Sequence, residues 1–359
     1  MKVLTITAIL LCILTTNCIA SEPDPAFEVG TVQDALSGEA RTLMKDQSPD
    51  QPVDFFNHLK QMVLQTFREH KSHIGESVQI GLRALVIIGL CQVMTLSDNP
   101  YSKSISAMTG ALGIMVCCVP TIMRSLELTG QAMDEMTSFS KILMPIVTTT
   151  AISSGSAASA ASTYTLTVLF SHLLFQFSET IAFPVLFGCM ACALVDTALG
   201  QKRLQRLRQF ATMLIDKTLR LFVYIFTGLL TITGVIAGNQ DAATLKAIKF
   251  SISFSVPVVG GIISDAAETV LSGASFLKNT VGTFGMLAVL AISLVPFFRL
   301  ALDYLLMKGV CALGGVMESS VTTLLEMLAT CIGYYMAVIG CCVYLNILSC
   351  VSLIRMVQI

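Results

Sequence analysis

Apolar positions fill this chain in runs longer than the core of a water-soluble domain uses. No Asp, Glu, Lys or Arg lies between Lys141 and Glu179, and Ser104 to Met123, Leu221 to Gln240 and Asn279 to Phe298 are uncharged as well. A charge-free apolar run of about 18 or more residues matches the hydrocarbon thickness of a bilayer. The pattern predicts an all-α, polytopic membrane protein. The first membrane helix is expected near Gln79–Leu96, with Asn99-Pro100 turning the chain back into a second at Ser104–Met123. Arg124–Lys141 reads as a charged amphipathic stretch. Ile142–Ser178 is long for one crossing and is read as two. Thr180–Ala198, Leu221–Gly238, Asn279–Phe298 and Met327–Ile354 each read as a further crossing, with Arg299, Asp303 and Lys308 marking an interfacial break. Residues 76–359 thus form a membrane domain of about seven to nine hydrophobic segments.

The start of the chain is different. Residues 1–20 are a short apolar leader after Lys2, with Cys18 and Ala20 near its end. They read as a secretory signal peptide or, with so thin a charged region, as a retained anchor. Residues 21–75 follow as an extracytoplasmic segment. It is polar and proline-containing up to about Gln51, and from Phe55 it becomes an amphipathic helix. Phe56, Leu59, Val63 and Phe67 recur at three- and four-residue spacing there. That stripe suits a membrane surface, a partner, or the rest of the chain equally well.

Composition agrees with a lipid-embedded chain. Hydrophobic residues make up 54% and charged residues 13% of the sequence, against roughly a quarter charged in a soluble domain. The net charge of −1 hides an acidic stretch from Ser21 to His73, with nine acids and five bases. The remaining excess of bases is too slight for nucleic acid binding, which needs a basic stripe with interleaved aromatics. All but the leader's two of the twelve cysteines sit in apolar runs, where thiols act as small packing residues. Cys189-x-x-Cys192 resembles half of a zinc or redox site, but no second ligand pair accompanies it.

Gly200–Arg220 concentrates Lys202, Arg203, Arg206, Arg208, Lys217 and Arg220 against a single Asp216. The positive-inside rule places it in the cytoplasm. Five crossings before it would keep the N-terminal segment on the opposite side. Lys202, Arg203, Arg206 and Arg208 are candidates for contact with a cytoplasmic partner or with anionic lipid.

Two interrupted segments invite comparison. Lys141-x-x-x-Pro145 leads into Ala151, Gly155, Ser159 and Thr163, small residues at every fourth position. Such a stripe serves close helix packing in lipid, or lines a path. Lys249 leads through Pro257 and Gly260-Gly261 to Asp265 and Glu268, which share a helix face. Paired interrupted segments point to a transport path in inverted-repeat transporters, while an interfacial hairpin would leave both acids in water. No nucleophile–base pattern, H-E-x-x-H or P-loop occurs. An enzyme is not expected, and no cofactor is called for.

A string of motifs goes further. Phe226-Thr227-Gly228-Leu229-Leu230-Thr231-Ile232-x-Gly234 precedes Thr244-Leu245-Lys246-Ala247-x-Lys249-Phe250. Val256-Pro257-Val258-Val259-Gly260-Gly261, Ser264-Asp265-Ala266 and Leu277-Lys278-Asn279 follow. In this order they resemble the stage III sporulation protein AE family of endospore-forming bacteria. Beyond Gly315 the likeness is one of hydropathy. The resemblance implies a multi-pass protein of the mother-cell membrane around the forespore. It also implies partners from the stage III A operon: a motor ATPase and ring-forming subunits. It transfers no active-site residues. The expected function is an integral subunit of a sporulation channel or export complex, with membrane lipid and further copies of the chain as other neighbours. An autonomous secondary transporter and a structural membrane scaffold are the alternatives.

Overall fold

The computed structural model describes residues 38–44, 55–95, 100–153, 157–200, 203–232, 280–316 and 321–357. Among them the secondary structure is helical throughout. α1 (Gly38–Leu43) and α2 (Phe55–Glu69) precede α3 (Lys71–Thr95) and α4 (Pro100–Ser153). α5 (Ala157–Phe177) passes through a π-helical turn, Ser178–Ala182, into α6 (Phe183–Ala198). α7 (Gln205–Ile232), α8 (Thr280–Val316) and α9 (Thr322–Val357) complete the bundle.

Five helical stretches are long and apolar enough to cross a membrane: His73–Thr95, Tyr101–Thr148, Ala160–Ala198, Phe284–Gly315 and Thr322–Leu353. The chain is therefore a multi-pass α-helical protein. Several sequence expectations change at this point. Ser104–Met123 and Arg124–Lys141 are one continuous helix with the first part of Ile142–Ser178, because nothing between them stops α4. Pro120 and Pro145 lie inside it, each removing one backbone donor without ending the helix. Thr180–Ala198 is no separate crossing either, since α5 runs into α6. The π turn accounts for the continuity. Pro184 lacks an N–H and would crowd the carbonyl four residues back, and Phe183 N–H instead bonds to Ser178 O, five residues back. Three long helices rather than five thus precede Gly200, and the odd count is kept. Arg299, Asp303 and Lys308 do not interrupt α8.

Helices pair as antiparallel hairpins. α3 and α4 meet so closely that a Cβ on Gly110 would lie 2.4 Å from Cys91 Sγ. Ser106 Oγ donates to Cys91 O at 2.9 Å across the same contact. Small residues let backbones approach where lipid supplies no hydrophobic drive for helix association. Gly285 of α8 does the same for α4, since a Cβ there would meet Leu143 Cδ2 at 2.6 Å. α9 is the axis of the bundle. It is apolar all round, as a helix surrounded by protein must be, and almost every residue from Val321 to Leu353 is buried.

The outward surface has two parts. Leu82, Val86, Leu90 and Val93 on α3, Ile105, Met108, Leu112 and Val116 on α4, and Leu305 and Leu313 on α8 are exposed. This is a lipid-facing girdle. From Arg124 onward the exposed face of α4 is polar instead: Glu127, Gln131, Asp134, Glu135, Ser138 and Lys141.

Candidate functional site

Polar side chains that a membrane bundle buries are costly and cluster where they do something. Three groups stand out. The first lies at the α2–α3 junction against α8. His70 and His73 flank the break, and Arg299 Nη2 lies 2.9 Å from His70 Nε2 and 2.7 Å from Glu39 Oε1 of α1. Phe67 stacks edge-on to Phe298 beside them, ring centroids 5.5 Å apart. One turn further on, Ser77 Oγ donates to the buried Asp303 carboxylate at 2.5 Å. His73 stands between two acids, its Nδ1 3.8 Å from Glu76 and its Nε2 3.8 Å from Asp303. Glu76 in turn pairs with Arg124 of α4 at 3.2 Å. The cluster joins α1, α3, α4 and α8 at the level where the outward face of α4 turns polar.

The second group closes the α6–α7 turn. Gly200, at φ +62°, takes the left-handed conformation that ends a helix. The chain then returns so that Leu204 N–H bonds to Asp196 Oδ1 at 3.0 Å. Arg208 Nη2 reaches Asp196 Oδ2 at 3.1 Å, with both side chains buried. The third group runs along α9. Thr167 Oγ1 bonds to Ser349 Oγ at 2.6 Å, Thr227 Oγ1 lies 2.9 Å from Tyr344 OH, and Tyr334 OH donates to Thr212 O at 2.8 Å. Asn346 donates to Cys342 O. The three bonds that leave α9 fix its rotation against α5 and α7.

The residues singled out from sequence scatter. Pro145 is half-buried within α4. Ser159 lies in α5, and Thr163 of the same small-residue stripe is buried. Gly155, Pro257, Gly260, Gly261, Asp265 and Glu268 lie outside the described residues, as does Lys202. Arg203 and Arg206 are exposed, whereas Arg208 faces inward to Asp196. Val63 and Phe67 of the α2 stripe are exposed, and α2 packs on the bundle through Met62 and Thr66. No set of three or more His, Cys, Asp or Glu side chains among the described residues is placed to hold a metal ion. Asp196, Ser77 and Asp303 were absent from the sequence candidates. The signal for the two aspartates was a lone acid inside an apolar helix, with Asp303 between Leu300 and Met307; Ser77 carried none.

The sequence model of the stage III sporulation protein AE family matches residues 39–356. The chain belongs to that family. A relative in Bacillus subtilis (strain 168), named Stage III sporulation protein AE, is 25% identical over 265 residues. The alignment takes in 72% of this chain and 66% of the relative, so the chain spans about two thirds of that protein's length. No solved structure matches. The AE-family match begins at Glu39, the residue that meets Arg299, and extends through nearly all of α9. The likeness that faded to hydropathy beyond Gly315 in the bare sequence therefore continues across the axial helix.

Proposed function

We propose that this chain is an integral membrane subunit of a mother-cell/forespore channel or export complex needed for late forespore development. The observation that carries the reading is the family match over a polytopic bundle whose girdle already fits a bilayer. Its partners are a motor ATPase and ring-forming subunits of the stage III A operon, and its location is the mother-cell membrane around the forespore. The exposed Arg203 and Arg206 at the α6–α7 turn form the edge on which a cytoplasmic motor docks. Arg208 is committed to Asp196 and takes no part. A strain carrying Arg203→Glu/Arg206→Glu tests this. Heat-resistant spores and co-purified ATPase should both fall, while the level of the protein in the membrane holds. Unchanged co-purification sinks the docking surface, and normal sporulation after complete deletion sinks the function.

The buried Asp303 favours a second reading, an autonomous secondary transporter, because intramembrane acids mark ion paths. Solute flux in vesicles holding this chain alone would favour that reading over the subunit.

A further inference from the structure

Beside the histidine cluster, Ser77, Thr121 and Asp303 line a cavity of about 10 Å³ together with Ile80, Gly81, Leu306 and Met307. That is room for one water-sized body. Asp303 is buried, and its only close bond among the described residues is the Ser77 hydroxyl. Thr121 is 3% exposed and borders the same cavity from α4. A carboxylate taken out of water needs a positive charge or a proton to compensate it. The nearest cation donor is His73, whose Nε2 is 3.8 Å away and otherwise unpartnered. At that distance it is not hydrogen-bonded.

We propose that this cavity binds one sodium-sized monovalent cation through the oxygens of Asp303, Ser77 and Thr121. Hard cations take carboxylate and hydroxyl oxygens, and three such groups converge here from α3, α4 and α8. The cation supplies the charge that the buried carboxylate lacks. The charged groups around His73 are engaged elsewhere. Glu76 on the opposite side of the ring is held by Arg124, and Arg299 is engaged by Glu39 and His70. Binding of the cation alters the α3–α8 contact next to α1 and α2, the part of the chain expected outside the cytoplasm. The inference stands on the cavity alone and does not depend on the export reading.

The test uses the full chain purified in detergent, with radioactive sodium binding and thermal unfolding as readouts. At pH 8, sodium should bind saturably and raise the unfolding temperature relative to matched choline chloride, with potassium less effective. Thr121→Val, which keeps the shape of the side chain, should weaken binding about tenfold or more, and Asp303→Asn should abolish it. If Asp303→Asn does not fold, Thr121→Val decides. Equal effects of sodium and choline, or unaltered binding in Thr121→Val, overturn the proposal.

Discussion

Asp196→Ala is the substitution whose cost can be worked out most fully from the structure. The two side chains of the Asp196–Arg208 pair are 4% and 8% exposed, and the carboxylate also accepts the Leu204 N–H. Removing it strands a buried guanidinium, a loss of about 3–5 kcal/mol, and leaves one backbone donor unmet, about 1 kcal/mol more. Arg208→Met strands the carboxylate at a similar cost. In Asp196→Ala/Arg208→Met no charge is stranded, and only the Leu204 N–H is left unmet. The double variant should therefore be more stable than the sum of the single losses predicts, by about 1–3 kcal/mol. Asp216–Arg220 is the internal control. It is an i,i+4 pair on α7 with side chains 22% and 31% exposed, so Asp216→Ala should cost only about 0.3–0.5 kcal/mol. Unfolding in detergent can be followed with a thiol-reactive dye, because Cys189 and Cys331 are free thiols buried nearby. If Asp196→Ala unfolds within error of Asp216→Ala, the pair does not hold the turn and the reasoning fails.

Two further outcomes follow from packing and exposure. Gly110→Ala should destabilise the α3–α4 hairpin by about 1–3 kcal/mol through overpacking, and adding Cys91→Ala should restore most of the loss, read by the same dye at a thiol other than Cys91. Spin labels at Leu112 and Asp134 should report opposite surroundings, with oxygen quenching the first and a water-soluble nickel complex the second. Equal oxygen access at both would refute the two-part surface of α4.

The sequence made the class of fold plain, because uncharged runs of bilayer length rarely arise outside a membrane. It also located the start of α2 at Phe55, and α4 starts at Pro100 of the expected turn. The division into crossings was much less legible. Hydropathy counts apolar residues without saying what surrounds them, so a helix that continues past the bilayer looks like two helices. Nothing local separates Met123 from Arg124 in helix propensity, and Glu179 reads as the end of a segment until α5 is seen to pass through the π turn into α6. The charged residues misled for a related reason. Arg208 looked like its neighbours Arg203 and Arg206, and only the fold brings it to Asp196 across a turn. Asp303 looked interfacial beside Arg299 and Lys308 because its partners, Ser77 and His73, lie far away in the sequence.

The length of α4 then acquires a meaning. Its 54 residues extend about 80 Å at 1.5 Å per residue, against a hydrocarbon core of about 30 Å. Tilt does not absorb such an excess, and an Arg or Asp at the bilayer centre costs about 2.5–3.5 kcal/mol. The change of outward face at Arg124 is where a hydrocarbon boundary costs least. Glu76 meets Arg124 at that level, Ser77 meets Asp303 there, and Glu127 and Glu179 share one groove slightly beyond it. On this argument Ile142–Ser178 is uncharged because it packs on α9: Thr167 bonds to Ser349, and Thr163, Phe170 and Leu174 are buried. Its exposed positions include Thr165, His172 and Gln176, which suit water or a partner protein better than acyl chains. The polar face of α4 beyond the charged level thus stands against water or protein rather than acyl chains, while Leu207, Phe210, Leu214, Leu221 and Ile225 keep the exposed face of α7 apolar.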